Sequence, residues 1–206
     1  MKFIELKLIQ AMECADLSNL GYEAERMIKA GFNSLHIDIS DGHFVDNITV
    51  GPSVVESLWK RTKANLECHL MVTDPLRYVE PLAKAVASGF TFHIEASKGN
   101  WRELVRKIKA KGMRPAVALK AETPVEEVFP LVEDDEYPVD MVLIMTVEHG
   151  FGKGESFMPK MCRAFFATTA SEGLSLMPRC SSVCPPGKAL VLGKVFQVFF
   201  KRNIGE

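Results

Sequence analysis

The segment LHIDISDGHF, residues 35–44, places two ionisable side chains, His36 and Asp38, two positions apart in an aliphatic run. In a β-strand successive side chains point to opposite faces, so the aliphatic residues share one face while His36 and Asp38 share the other. An imidazole and a carboxylate on one face offer ligands for a metal ion or groups for proton transfer. Asp41 and His43 follow, and because Asp-Gly is a turn signal we expect them to organise the loop after the strand.

Further candidate residues occur in later apolar segments, and each also has an ordinary structural interpretation. His69 in ECHLMV is by itself typical of a packed histidine, and Met71 and Met145 are by themselves typical of core filling. His93 and Glu95 in FTFHIEA are compatible either with a structural role or with a pocket. The fold must decide which of these residues meet.

The composition indicates one globular domain that acts on a small molecule. The chain has 206 residues, of which 47% are hydrophobic and 25% are charged, enough for one sizeable core. The net charge of −1 argues against a nucleic-acid or membrane-surface partner, since both select a concentrated basic face. No apolar run approaches the roughly 20 residues of a membrane span.

The amino-terminal segment and the cysteines point to the cytoplasm. Glu5 and Lys7 interrupt the start MKFIELKLIQ, which therefore lacks the apolar run of a signal peptide. Five cysteines at irregular spacing do not make a disulfide framework. We therefore expect a cytoplasmic protein in a reducing compartment.

Strand-like and helix-like segments alternate up to residue 147. The strand-like segments are FIELKLI, SLHIDI, NLECHLMV, FTFHIEA, PAVAL and MVLIMTV. Helical segments lie between them: DLSNLGYEAERMIKAGF, with Gly31 at the position of a C-cap, PSVVESLWKRT, DPLRYVEPLAKAVASG, NWRELVRKIKAKG and TPVEEVFPLVE. This order predicts a parallel sheet with crossover helices, either an open doubly wound sheet or a (β/α)₈ barrel.

The distribution of the candidate residues favours the barrel. Both architectures place chemistry at the carboxyl ends of strands, but only a closed barrel gathers residues from many strands around one axis. The candidates are spread over four strands: His36 and Asp38 end the second, His69 and Met71 share a face of the third, His93 and Glu95 end the fourth, and Met145 ends the sixth. We therefore predict an α/β fold, a single (β/α)₈ TIM barrel domain over residues 1–206.

Several motifs closely resemble the ribulose-phosphate 3-epimerase family, especially its cytosolic plant members. They are LHIDISDGHFVDNITVGPSVVESL, CHLMVTDPLRYVEPLAKA, GFTFHIEAS, KAKGMRPAVALK, TPVEEVFPLVE and MTVEHGFGKGESFMPKM, and the likeness extends over residues 6–161. The resemblance implies a (β/α)₈ barrel of the ribulose-phosphate-binding type. It also implies a metal-assisted interconversion of D-ribulose 5-phosphate and D-xylulose 5-phosphate, a reaction of the pentose phosphate pathway.

The resemblance assigns roles to individual residues. It implies metal ligation by His36, Asp38 and His69, with Asp38 also the base that removes the proton from carbon 3. It implies substrate contacts from His69, Met71, Met145, Gly150, Phe151 and Gly152, the last three in a phosphate-binding loop. Two histidines with carboxylates suit zinc, iron, manganese or cobalt.

The likeness ends near Met161. Where the family has a second catalytic aspartate after its seventh strand, GLSLMPRCSS places Pro178 and Arg179. Only the segment 189–196 is similar to the eighth strand, so we predict that the last two βα units are degraded and that residues 162–206 form a divergent part. Glu95 and Glu148 lie near strand ends and are candidates for part of the missing role.

Two functions from different classes follow. The first is a ribulose-phosphate 3-epimerase, with activity impaired by the missing aspartate. The second is a non-catalytic relative that binds metal or sugar phosphate weakly, or that pairs with intact subunits. A third alternative, within the enzyme class, is another phosphate-binding barrel that acts on a related sugar phosphate. The resemblance further implies a homo-oligomer.

Overall fold

The computed structural model describes residues 9–12, 15–120, 122–145 and 195–199. The strands are β1 (Ile9–Ala11), β2 (Ser34–Ser40), β3 (Asn65–Met71), β4 (Gly89–His93), β5 (Arg114–Leu119), β6 (Met141–Met145) and β7 (Val195–Phe199). The helices are α1 (Leu20–Lys29), α2 (Pro52–Thr62), α3 (Val79–Lys84), α4 (Trp101–Ala110) and α5 (Phe129–Glu133). Within these ranges no helix has the length and apolarity needed to cross a membrane.

The strands form one sheet in sequence order from β1 to β7. Each neighbouring pair from β1 to β6 is parallel, and one α-helix lies between each two of these strands. Parallel neighbours need such crossover connections. The predicted alternation of six strands and five helices is therefore confirmed.

The two faces of the sheet have different environments. Aliphatic and aromatic residues of β2 to β6, such as Ile37, Leu70 and Phe92, pack with the helices in the main hydrophobic core. The alternate residues of β2 to β4 are mostly polar, whereas those of β5 and β6 form a second apolar cluster: Ala116, Ala118, Met141, Leu143 and Met145. We call this second surface, which carries His36, Asp38, His69 and His93, the inner face.

Helix ends explain several of the connections. The predicted C-cap at Gly31 is confirmed, because that residue has a φ of 96° and the N–H of Phe32 bonds the carbonyl of Met27 at 3.2 Å. This is a Schellman motif. The same motif ends α3, where the left-handed position, with a φ of 62°, is occupied by Val86.

Two of the predicted helices are shorter than the sequence pattern indicates. DPLRYVEPLAKAVASG begins with a 3₁₀ turn over Pro75–Tyr78, and the α-helix covers only Val79–Lys84. TPVEEVFPLVE likewise begins with a 3₁₀ turn over Val125–Val128 before α5. A proline cannot donate the N–H that an i to i−4 helical bond needs, which favours irregular first turns in both segments.

The seventh strand differs in position and direction from the predicted eighth strand at residues 189–196. The described strand is Val195–Phe199, and it pairs antiparallel with β6, with Leu143 opposite Gln197. A parallel edge strand such as β6 presents unpaired backbone groups that a strand-forming segment of either direction satisfies. The remainder of residues 146–206, including most of the segment predicted to be degraded, lies outside the described ranges.

Candidate metal centre

Three side chains of β2 and β3 converge on the inner face. Oδ1 of Asp38 lies 3.2 Å from Nε2 of His36 and 2.8 Å from Nδ1 of His69. The arrangement follows from the strands, because His36 and Asp38 alternate with aliphatic residues and Asp38 is the register partner of His69. All three residues are buried, and their ligand atoms lie within 4.8 Å of one another. The structure thus brings together the three residues that the resemblance implied as metal ligands.

The charges of this group suit a cation. Burial by itself raises the pKa of Asp38, but the neighbouring His36 and His69 outweigh it and hold that pKa well below the usual range. Burial lowers the pKa of His69, and this effect exceeds the opposing attraction of Asp38. The group therefore combines an ionised carboxylate with a neutral imidazole, the forms in which these side chains bind metal.

A third histidine, His93, continues the group across the sheet. Nε2 of His69 lies 2.9 Å from Nε2 of His93, and the two rings are stacked with their centroids 5.0 Å apart. Nδ1 of His93 lies 3.1 Å from Oε2 of Glu95. Both rings have no exposed surface. We call the row Asp38, His69, His93 and Glu95 the histidine line.

The Glu95 end of the line is held by the loop that follows β5. Oε1 of Glu95 accepts a hydrogen bond of 2.8 Å from the backbone N–H of Lys120 and another from the hydroxyl of Thr123. Burial raises the pKa of Glu95, but the hydrogen bonds from His93, Thr123 and Lys120 outweigh it and lower that pKa to about 2. Glu95 is therefore a carboxylate whose two oxygens both have partners.

The histidine line has fewer ring protons than contacts. Three contacts join its four residues, and each needs one proton or one cation between two basic atoms. A neutral imidazole carries a single N–H, so two neutral rings supply only two protons. A divalent cation held by His36, Asp38 and His69 would supply the missing positive charge. The residues present therefore fit a metal ion.

The loop after β2 is held by Asp41, as the sequence predicted. Oδ1 of Asp41 accepts the N–H groups of His43 and Phe44, each at 2.9 Å. Oδ2 accepts the N–H of Thr73 at 2.8 Å and the Thr73 hydroxyl at 2.9 Å. Burial by itself raises the pKa of Asp41, but these hydrogen bonds together outweigh it and hold that pKa below its usual range. The loops after β2 and β3 are thereby joined.

The same loop folds back over the site. Thr49 donates a hydrogen bond of 2.6 Å from its hydroxyl to the backbone carbonyl of Asp38. The ring of Phe44 lies 4.9 Å from that of His93, and Nζ of Lys120 lies 4.0 Å from the centroid of the Phe44 ring. The loop therefore covers the histidine line on the side of Phe44.

The two methionines predicted in the pocket, Met71 and Met145, lie at the carboxyl ends of two strands. Met71 is the last residue of β3 and is half-buried, and Met145 is the last residue of β6 and is buried in the apolar cluster of the inner face. Gly150, Phe151 and Gly152, like Glu148, Pro178 and Arg179, lie outside the described residues.

The sequence leaves the role of His93 and Glu95 open. In the structure His93 contacts the candidate ligand His69, and Glu95 contacts His93. A signal was present in the sequence, because His93-Ile94-Glu95 repeats the spacing of His36-Ile37-Asp38. The repeat is not a structural copy, however. β4 ends at His93, and Glu95 belongs to a 3₁₀ turn over Ile94–Ala96.

A parallel sheet with crossover helices and a His-Asp-His group on its inner face define an α/β barrel protein with a candidate metal centre. A family model described as the ribulose-phosphate 3 epimerase family matches residues 7–169. The chain belongs to this family, and the predicted fold class, an α/β TIM barrel, is confirmed.

Curated relatives from distant organisms agree. A protein of Oryza sativa subsp. japonica named ribulose-phosphate 3-epimerase, cytoplasmic isoform, is 63% identical over 155 residues, covering 75% of this chain and 67% of that protein. The ribulose-phosphate 3-epimerase of Schizosaccharomyces pombe is 43% identical over 160 residues, covering 76% of this chain and 68% of that protein. That of Bacillus subtilis is 38% identical over 153 residues, covering 74% and 68%.

Proposed function

We propose that this chain is a ribulose-phosphate 3-epimerase that interconverts D-ribulose 5-phosphate and D-xylulose 5-phosphate. The observation that carries the proposal is the convergence of His36, Asp38 and His69 on the inner face of a chain in this family. The names of its relatives supply the substrate class. The alternative, a non-catalytic relative, is not favoured, since the relatives reported above are named as epimerases.

His36, Asp38 and His69 would hold a divalent ion such as zinc, iron, manganese or cobalt. When bound, it would act as a Lewis acid for the negative charge that develops on substrate oxygens, a role worth several kcal/mol. The protein's part is to present two imidazole nitrogens and one carboxylate oxygen in a buried, prearranged group.

Asp38 is the proposed base for carbon 3. Its histidine neighbours hold it ionised, so at neutral pH it is in the unprotonated form that a general base needs. Its backbone carbonyl is fixed by Thr49, which limits the movement of the carboxylate. Proton return to the opposite face needs a second group, and the position of the family's second aspartate carries Pro178 and Arg179 in this sequence. We therefore expect turnover below that of the rice relative, since losing one positioned acid–base group costs about 10²- to 10⁴-fold.

The proposed substrate site includes residues beyond this group. Met71 and Met145 would line the pocket with apolar surface, and His69 would also contact the substrate. Gly150, Phe151 and Gly152 are proposed to bind the phosphate through backbone N–H groups, which small residues allow an anion to approach. The proposal includes a cytoplasmic location, supported by the cytoplasmic isoform among its relatives. It also includes a homo-oligomer and no nucleic-acid or membrane partner.

Proton NMR of D-ribulose 5-phosphate in D₂O tests the proposal. With the protein and a divalent metal, deuterium should enter carbon 3 and D-xylulose 5-phosphate should form. Asp38→Asn should abolish both, whereas Asp46→Asn, a change of the same kind at an exposed loop position, should leave both rates unchanged. The absence of exchange and of product, under conditions in which the rice relative is active, would contradict the proposal.

A further inference from the structure

Among the described residues, the buried His93 and its half-buried partner Glu95 form a polar pair that the proposed reaction does not use. Neither residue belongs to the group of three side chains that could hold a metal. The ring of His93 is nevertheless fully buried, in contact with His69 on one side and with Glu95 on the other. A buried histidine between a candidate ligand and a carboxylate calls for a physical explanation.

We infer that the His93–Glu95 pair positions His69 for metal binding by holding the proton of the His69 ring on Nε2. The inference rests on the proposed metal role of His69. A metal-binding histidine usually donates its second ring N–H to a fixed acceptor, which sets the tautomer and orientation of the ring. Here that acceptor is a second imidazole, whose own tautomer is set by a carboxylate.

The direction of each hydrogen bond follows from the anchored end of the line. The carboxylate of Glu95 has no proton to give, so Nδ1 of His93 must be the donor at 3.1 Å. In the neutral ring Nε2 of His93 is then an acceptor, and the partner 2.9 Å away, Nε2 of His69, must donate. Nδ1 of His69 is left as a lone pair directed at the contact with Asp38.

The hydrogen bonds from Lys120 and Thr123 to Glu95 fix the direction of hydrogen bonding along the histidine line. Oε1 of Glu95 accepts from the backbone N–H of Lys120 and from the Thr123 hydroxyl, so any side chain that replaces Glu95 needs an acceptor oxygen at this position. In Glu95→Gln the amide oxygen would keep this position, and the amide NH₂ would face Nδ1 of His93. Nδ1 of His93 would become an acceptor and Nε2 a donor, which moves the proton of His69 onto Nδ1. One amide would thus place a proton on the atom proposed to bind the metal.

The variants chosen to test this separate the direction of hydrogen bonding from stability. Glu67→Gln is the matched control, since Glu67 is a buried glutamate of β3 that pairs with Arg114 instead of with the histidine line. Thr123→Val removes one donor to Glu95 but keeps the carboxylate, so it should retain the wild-type tautomers. Thermal melting of each variant reports whether it is folded.

Zinc affinity, measured by competition with a chromophoric chelator, is the first readout. Glu95→Gln should bind zinc about 10- to 100-fold more weakly than the wild-type chain, the usual cost of losing an outer partner of a ligand. Glu67→Gln should bind as the wild type does, and Thr123→Val should differ by less than Glu95→Gln. A folded Glu95→Gln chain with wild-type zinc affinity would overturn the inference.

Two-bond ¹H–¹⁵N NMR of the histidine rings is the second readout. The zinc-loaded wild type should carry the His93 proton on Nδ1 and the His69 proton on Nε2, and the metal-free Glu95→Gln chain should carry the His93 proton on Nε2. A His93 proton on Nε2 in the zinc-loaded wild type would also overturn the inference. A chain that binds zinc with these tautomers but exchanges no proton at carbon 3 would contradict the proposed function alone, whereas a wild type that binds no zinc would remove the metal role on which both depend.

Discussion

The carboxylate of Asp38 meets Nδ1 of His69 at 2.8 Å across the boundary between β2 and β3, where positions 38 and 69 are directly paired. Each atom comes from a different βα unit, so the candidate metal group depends on the register of these two strands. A shift of one residue would turn His69 toward the helices. The backbone pairing is therefore part of the metal site.

Replacing His69 should remove metal-dependent stabilisation. A ligand bound only by the folded state stabilises it by about 2.7 kcal/mol at 100 times its dissociation constant. Adding zinc should therefore raise the melting temperature of the wild-type chain, and a chelator should reverse the shift. His69→Gln should show no shift, whereas His43→Gln, at an exposed loop histidine, should behave as the wild type. An equal zinc shift in His69→Gln would exclude His69 as a ligand.

Asp41→Asn should destabilise the loop that covers the site in a pH-dependent way. The carboxylate accepts from His43, Phe44 and Thr73, and one amide oxygen cannot serve both sets of donors. We expect a loss of about 2 kcal/mol at pH 7, the range for hydrogen bonds to a charged group.

The pH range follows from the lowered pKa of Asp41. The stabilisation is complete above the unfolded-state pKa of about 4 and is lost as pH falls through the lower folded-state pKa. Urea unfolding from pH 7 to pH 3 should therefore show the gap between wild type and Asp41→Asn narrowing below about pH 4. The control Asp46→Asn should show little change at any pH, and a gap that widens on acidification would contradict the assignment.

Val86→Gly should stabilise the chain. Val86 takes the left-handed position of the Schellman motif with a φ of 62° and is 41% exposed, so little packing is lost with its side chain. A β-branched residue is strained there by about 1–2 kcal/mol, part of which the greater unfolded-state entropy of glycine cancels. We expect the free energy of unfolding to rise by about 1 kcal/mol, which corresponds to a rise of about 2–4 °C in melting temperature.

The reverse substitution gives the matched control for this strain. Gly112 has a φ of 77° at the equivalent position after α4, and a Cβ built there meets no atom within 4 Å. Gly112→Val should therefore lower the melting temperature through backbone strain alone. If both substitutions move it in the same direction, backbone strain is not the cause.

Gly89→Ala should break an ion pair that crosses a strand. Gly89 is the register partner of both Glu67 and Arg114, and a Cβ there would collide with the Glu67 carboxylate. The absence of a side chain lets Glu67 reach Arg114 over β4. Displacing the buried Glu67 carboxylate from its partly exposed partner should lower the free energy of unfolding, measured in urea, by on the order of 2 kcal/mol. Gly99→Ala, with no atom near its Cβ, should have little effect, and equal losses in the two variants would contradict the collision.

The parts of the fold that repeat were predictable from the sequence. Strands β2 to β6 follow from apolar segments separated by amphipathic helices, because parallel pairing requires a crossover of that length. His36 and Asp38 were assigned to one face by alternation alone, and Gly31 marked a helix end through its position. These features depend on residues that are close in the chain.

The parts that were not predicted depend on contacts between units. The contact of His93 with His69 joins two neighbouring strands, β4 and β3, so the spacing of residues within one segment does not reveal it. The end of β4 at His93 places Glu95 in a turn, where Lys120 and Thr123 of another connection hold it. The strained Val86 also escaped prediction, because the motif that requires a left-handed residue was filled by an amino acid that disfavours it.

The placement of the three candidate ligands in consecutive βα units has a consequence for biosynthesis. His36, Asp38 and His69 come from strands that are neighbours both in space and along the chain, so the loop that must close between them is short. Such local contacts form early, and domains emerge from the ribosome amino terminus first. We expect a nascent chain that has extended through β4 and β5 to hold the chelating group already, before the residues after β6 have been translated.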